Sequence, residues 1–260
     1  MKKPSILITN DDGINAPGIK HLWESLKKIA HVTVVAPSQE QSAVGLSITL
    51  RQPLRVDPIH HFPESTAYSV SGTPADCVKM ALSAIMDAPP DLIVSGINCG
   101  ANSGRNLFYS GTVAGCIEGI MHDIPSIAFS CFDHHDPNYD VAAKFVPSVI
   151  DHILSHPLPK GTLLNVNFPT KHAPIKGFKM TRQGQGCWME NPEKRAHPHA
   201  PSHYYWLGAK VGVFPEHEDT DVRWLDQGYI TAVPVYVGEL THHEQVAARK
   251  QAFENMKLSH

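Results

Sequence analysis

"ILITNDDGI", residues 6–14, opens with four strand-favouring residues and then breaks into Asn10-Asp11-Asp12-Gly13. An apolar run without in–out alternation fits a strand buried on both faces, as in a parallel sheet. The next segment changes period. Ile19, Leu22, Trp23, Leu26 and Ile29 form one stripe of a helix over residues 18–29. The alternation then repeats. "HVTVVAP" (31–37) is a second strand stopped by Pro37, and residues 75–86 form a helix with Val78, Ala81, Leu82 and Ile85 on one side. "DLIVSGIN" (91–98) is a third strand, residues 111–121 a helix of small residues, and "SIAFS" (126–130) a fourth strand. Short apolar runs separated by helices indicate an α/β fold, a mostly parallel sheet with crossover helices on its faces.

The second half of the chain reads differently. Residues 141–154 are helical and "TLLNVNFP" (162–169) adds a core strand. Residues 170–225 are rich in His, Pro, Gly and aromatic residues with little periodicity, which indicates loops and hairpins. "GYITAVPVYV" (228–237) is a late strand, and residues 241–256 form a polar helix. The division expected is an α/β catalytic core over 1–170, then a β-rich C-terminal extension over 171–260 that ends in a helix.

Composition excludes some partners. With 22 basic and 25 acidic residues the net charge is -3, so neither sign dominates and no polymeric nucleic acid or membrane surface is indicated. Among the 17 histidines, His60-His61, His134-His135 and His242-His243 are adjacent pairs. Adjacent side chains point apart, so these are not a zinc motif. The five cysteines are odd in number and include no CxxC, which fits reduced thiols and a cytoplasmic protein. The opening MKKPSILITNDDG has neither the apolar length of a signal peptide nor that of a membrane span.

In an open parallel sheet, ligands bind beyond the carboxyl ends of the strands. The first strand is followed by Asn10, Asp11, Asp12 and Gly13. The second is followed by Ser38, Ser42 and Gly45, and the third by Asn98, Asn102, Ser110, Gly111 and Thr112. Two adjacent carboxylates repel and are costly to bury, and a divalent cation removes that cost. Oxygen donors from Asp, Asn and Ser suit a hard ion such as Mg²⁺ or Mn²⁺. A glycine-rich loop running into a helix at Gly111 suits a phosphate group. Each fragment also has a structural reading. NDDG makes a turn, Thr73-Pro74 starts a helix, and Ser110 caps one. Their joint placement after three strands favours metal-assisted phosphoryl hydrolysis.

"ILITNDDGINAPGI", "VVAPSQEQSAVGLSITL", "SGTPADCV", "PDLIVSGINCGANSGRNLFYSGTVAGCIEG" and "TDVRWLDQGYITAVPV" resemble, in order and spacing, the SurE family of survival-protein 5'-nucleotidases. The resemblance spans nearly the whole chain except residues 187–219. It implies a Rossmann-like core and a C-terminal part exchanged between subunits of a homodimer or homotetramer. It implies one divalent cation per subunit, Mg²⁺ or Mn²⁺, and hydrolysis of nucleoside 5'-monophosphates, with 3'-monophosphates and short polyphosphate as further substrates. By motif position the metal ligands are Asp11, Asp12, Ser42 and Asn98. The substrate-facing set is Asn102, Ser110, Gly111 and Thr112, and the catalytic set is Asp11, Asp12, Asn98 and Ser110. Arg105-Asn106 departs from the pattern, since several relatives carry acids there.

Two rivals stand beside this reading. An aspartyl-phosphate phosphatase also places an aspartate after its first strand, but wants two acids two residues apart. A nucleotide- and metal-binding regulatory module would bind without releasing phosphate. Trp188 and Tyr204 to Trp206 are candidates either for stacking a base or for packing between subunits.

Overall fold

The computed structural model describes residues 3–256. In chain order, β1 (Ser5–Thr9), α1 (Pro17–Leu26) and β2 (His31–Pro37) are followed by two short strands, β3 (Val56–Pro58) and β4 (Thr66–Val70). Then come α2 (Pro74–Met80), β5 (Leu92–Cys99), α3 (Gly111–Met121), β6 (Ser126–Cys131), α4 (Tyr139–Ser155) and β7 (Thr162–Phe168). The remainder holds β8 (Phe178–Met180), β9 (Trp188–Met189), β10 (Glu193–Ala196), β11 (His203–Trp206), β12 (Lys210–Val211), α5 (Asp221–Asp226), β13 (Ile230–Tyr236) and α6 (His243–Glu254).

Nine strands form one sheet in the order β3-β4-β2-β1-β5-β6-β7-β13-β8. The pairs from β4 through β7 are all parallel. The antiparallel pairs in this sheet are β3 on β4 and β13 on β7. The continuous apolar run of β1 has its cause here. Ile6 and Ile8 pack in one core with Ile19, Leu22 and Leu26 of α1 and Val146 and Ile150 of α4. Leu7 points the other way, to Cys77 and Val78 of α2. Period-2 geometry sends alternate side chains to opposite faces, and helices cover both.

The predicted helix over 75–86 holds the right position, but α2 ends at Met80 and Ala81–Ile85 continue as a wider π turn. β3 and β4 were not anticipated from sequence. The sheet also does not stop at residue 170. β13 pairs along β7, and β8 adds to its outer side in parallel. The segment between them carries two small antiparallel ribbons, β9 with β12 and β10 with β11. Among the described residues, no helix is long and apolar enough to cross a membrane.

The chain runs outward from β1 in two directions, to β2 and β4 on one side and to β5, β6 and β7 on the other. β1 is therefore the topological switch point, where the loops at the strand ends diverge and leave a crevice.

Candidate active site

The three loops singled out by sequence follow β1, β2 and β5, and those strands are neighbours in the sheet. Backbone hydrogen bonds tie the loops together. Gln41 N–H donates to the Asp11 carbonyl at 2.7 Å, Ile14 N–H to Pro37 at 2.8 Å, and Gly45 N–H to Tyr109 at 3.0 Å. NDDG forms a turn at the mouth of the crevice between these loops. The Asn10 side chain donates to the Gly13 carbonyl at 3.0 Å and Gly13 adopts φ +98°, a left-handed conformation that glycine accepts without strain. The turn engages Asn10 and leaves the next two carboxylates for the crevice.

That crevice is a cavity of about 980 Å³. Asp11, Asp12, Ser42, Asn98, Asn102 and Ser110 lie on its wall. Asp11 is buried against the start of α3, where the Thr112 hydroxyl donates to its Oδ1. Burial pushes its carboxyl up from the ordinary value, opposed by the Thr112 hydroxyl and the backbone N–H groups of Thr112 and Gly111. The Asp12 carboxyl is pushed up to about 7, first by burial and then by the charge of Asp11. The Cys99 N–H, which donates to Asp12 Oδ2 at 3.1 Å, works against that rise, and Glu40 adds to it. Two adjacent carboxyls that both resist ionisation in a crevice are the arrangement whose repulsion a bound cation would relieve.

The donor set fits a hard divalent cation. Among the described residues, no group of three His, Cys, Asp or Glu has metal-holding geometry, so a cation at these two carboxylates would draw its other protein ligands from amide and hydroxyl oxygens. Asn98 donates its Nδ2 to the Gly100 carbonyl at 2.7 Å, which fixes its amide and leaves Oδ1 as an acceptor. Ser42 lies in an exposed loop and donates its hydroxyl proton to Glu40, so its lone pairs are available.

Ser110 caps α3 by accepting the Val113 N–H at 3.1 Å, and its own O–H stays free to donate into the cavity. Gly111 and Thr112 serve the site differently from the expectation. Neither lines the cavity. A Cβ at Gly111 would lie 2.7 Å from Asp11 Cβ, so glycine there makes room for the carboxylate. Thr112 is a correction. Its side chain is fully buried and its hydroxyl is given to Asp11, so it faces that carboxylate and not a phosphate.

Sequence reading missed the supports behind Asn102. Its side chain donates to Ser130 Oγ at 2.8 Å. Its backbone is clamped from both ends, with the N–H to Asn167 Oδ1 at 2.8 Å and the carbonyl to Asn165 Nδ2 at 2.9 Å. Asn165 and Asn167 are fully buried in β7. The signal was present in "LLNVNF". Two amides spaced by two residues inside an apolar strand point to one face, and a buried amide needs a partner. Arg105 and Asn106 also find their places. Asn106 Oδ1 accepts the Trp188 N–H at 2.9 Å, and exposed Arg105 reaches Gln185 Oε1 at 3.3 Å.

The sequence profile described as "Survival protein SurE" matches residues 6–190. The chain belongs to the SurE family. It is 51% identical over 254 residues to a protein of Protochlamydia amoebophila named 5'-nucleotidase SurE, covering 97% of each chain. A protein of the same name from Christiangramia forsetii is 44% identical over 246 residues, covering 93% of this chain and 94% of that one. The crystal structure of the SurE protein from Aquifex aeolicus superposes with a TM-score of 0.83 at 37% identity, covering 96% of this chain and all of that one. The mostly parallel sheet with flanking helices is thus the fold of the family.

Proposed function

We propose that this SurE-family protein is a divalent-cation-dependent phosphatase that hydrolyses nucleoside 5'-monophosphates, and 3'-monophosphates as well, to nucleoside and phosphate. Relatives named 5'-nucleotidase along nearly the full chain support the nucleotidase activity. One observation carries the chemistry. Asp11, Asp12, Ser42 and Asn98, from three hydrogen-bonded loops, line one cavity that Asn102 and Ser110 also line.

Asp11, Asp12, Ser42 and Asn98 would hold Mg²⁺ or Mn²⁺. When bound, the cation supplies Lewis acidity toward a phosphoryl oxygen and toward water. The chain's own residues do the rest. Thr112 fixes Asp11, and the Cys99 N–H fixes Asp12 through Oδ2, leaving Oδ1 as the free carboxylate oxygen. Ser110 O–H and Asn102 donate to the equatorial phosphoryl oxygens, where charge grows as the bond to phosphorus breaks. We place the protein in the cytoplasm as a homodimer or homotetramer.

The decisive experiment measures phosphate release from AMP with Mn²⁺, with and without chelator, in wild type and Asp11→Asn. Release is expected in the wild type, absent under chelator, and lost at least about a thousandfold in the variant, on the scale of removing a key charge-stabilising group. Near wild-type turnover of Asp11→Asn in excess Mn²⁺ would overturn the assignment. Trapping of a phospho-aspartate would replace direct water attack by the covalent route.

A further inference from the structure

The cavity is far larger than a phosphate requires, and part of its lining is aromatic or apolar. Tyr109, Phe132, Trp188 and Leu207 line it, and all four are substantially exposed. Exposed aromatic side chains inside a cavity with a polar floor match a ligand with an anionic head and a flat apolar body.

Trp188 is the built element of that lining. Its backbone N–H is held at 2.9 Å by Asn106 Oδ1, from the same loop that carries Asn102 and Ser110. The chain just before it is pinned to that loop too, where Arg105 N–H donates to the Gly186 carbonyl at 2.8 Å. This approach is possible because residue 104 is glycine, with φ +56° and a would-be Cβ only 2.1 Å from the Gly186 oxygen. On its other side the Trp188 ring meets the His134 ring edge-on, with centroids 5.6 Å apart. His134 lies over Gly100, where a Cβ would come within 2.2 Å of its ring. Burial lowers the His134 pKa, which keeps the ring neutral near pH 7, with one nitrogen donating and one accepting. Thus two glycines, an amide cap and a neutral imidazole hold one indole at a fixed distance from the phosphate end of the same loop.

We propose that Trp188 is the nucleobase platform of this site: the base of a mononucleotide stacks on the indole while its phosphate lies at Ser110 and the carboxylate pair. This rests on the nucleotidase reading above and assigns the part of the substrate that reading leaves open. Stacking on a π-face tolerates every base, so the platform favours bases over no base and discriminates little among them.

The test compares AMP with ribose 5-phosphate, which keeps the sugar and the phosphate ester but lacks the base. In wild type, AMP is expected to show the lower KM. Trp188→Ala is expected to raise the KM for AMP about tenfold with kcat changed by less than about twofold, a typical loss for one base–aromatic stack. The preference in kcat/KM for AMP over ribose 5-phosphate should collapse by the same factor. Trp188→Phe should restore most of it. Equal losses on both substrates would mark a purely structural role and overturn the platform. So would an unchanged AMP KM, or a change in sedimentation without a change in preference, which would assign Trp188 to packing between copies. If wild type turns over both substrates with equal KM, the platform falls and the phosphatase stands. If it releases phosphate from neither, the nucleotidase reading falls and the platform with it.

Discussion

At Asp11 and Asp12 the protein keeps two carboxyls where water cannot fully solvate them. Asp12 is pushed up to about 7 from an ordinary 3.8, by burial first and by Asp11 second. Its sign fixes how the cation-free protein responds to pH. Between about 3.8 and about 7 the folded chain retains a proton that the unfolded chain has lost, so the folded state binds more protons. Stability therefore falls as pH rises through that window, by at most roughly 1.4 kcal/mol per pH unit from this group. With chelator present, the melting temperature of wild type relative to Asp12→Asn is expected to drop between pH 4.5 and 7.5 by about 2–4 °C per kcal/mol. Mn²⁺ should recover the loss at pH 7.5, because cation binding there replaces the proton. A relative melting temperature that climbs over this range would contradict the placement of Asp12. The position of this pair on the crevice wall was legible in the sequence, because both acids directly follow a buried strand, even though NDDG by itself reads equally as a turn. The Thr112 hydroxyl was misread for a physical reason. "YSGT" announces a helix start, but the direction in which a hydroxyl points depends on the strand packed behind it, here the end of β1 with Asp11.

Asp221, the second residue of "TDVRWLD", shows how a site loop is held by an element far away in sequence. Its carboxylate is fully buried and accepts four donors: the N–H groups of Gly104 at 3.0 Å, Gly184 at 2.8 Å and Val222 at 2.8 Å, and the Gln183 side chain at 3.1 Å. Gly104 lies between Asn102 and Ser110, so the start of α5 fixes the loop that supplies both. In Asp221→Asn an NH₂ group would face two of those donors. Each buried donor left unpaired costs about 1–3 kcal/mol, so a loss of that size or more is expected. Phosphate release should fall together with stability, measurable by thermal melts and AMP turnover. A variant melting within about 1 °C of wild type would show that these bonds do not hold the loop. Sequence could not supply this link, because Gly104 and Asp221 are 117 residues apart. It could not supply β3 and β4 either. "VDP" and "TAYSV" are short, the first ends in Pro58, and β4 becomes a strand by pairing in parallel with residues 33–37 of β2. By contrast β1, β2, β5 and β6 were readable because each carries its own evidence, a strand apolar on both faces.

The same reasoning applied to the whole chain exposes what one copy leaves unsatisfied. α6 is helical over His243–Glu254, yet none of its residues is buried. An isolated helix of this length is marginal in water, because nucleation costs more than so few hydrogen bonds return. Phe253 on α6 is 74% exposed, and Leu240 just before the helix is 91% exposed. The ribbon residues Tyr205, Trp206 and Leu207 are exposed as well. A single copy thus presents apolar side chains on an element that lacks a packing surface of its own, and a second copy would supply one. Light scattering on the full chain is expected to return two or four times the chain mass. Phe253→Asp separates this from a merely exposed helix. On a solvated face such a change is nearly neutral, within about 0.5 kcal/mol. Buried against a partner, it places an unpaired carboxylate in an apolar contact, which costs several kcal/mol. The variant should therefore dissociate toward monomer at micromolar concentration with its far-UV spectrum nearly unchanged. A wild type that sediments as a monomer, or a Phe253→Asp variant that assembles as tightly as wild type, would remove α6 from the interface.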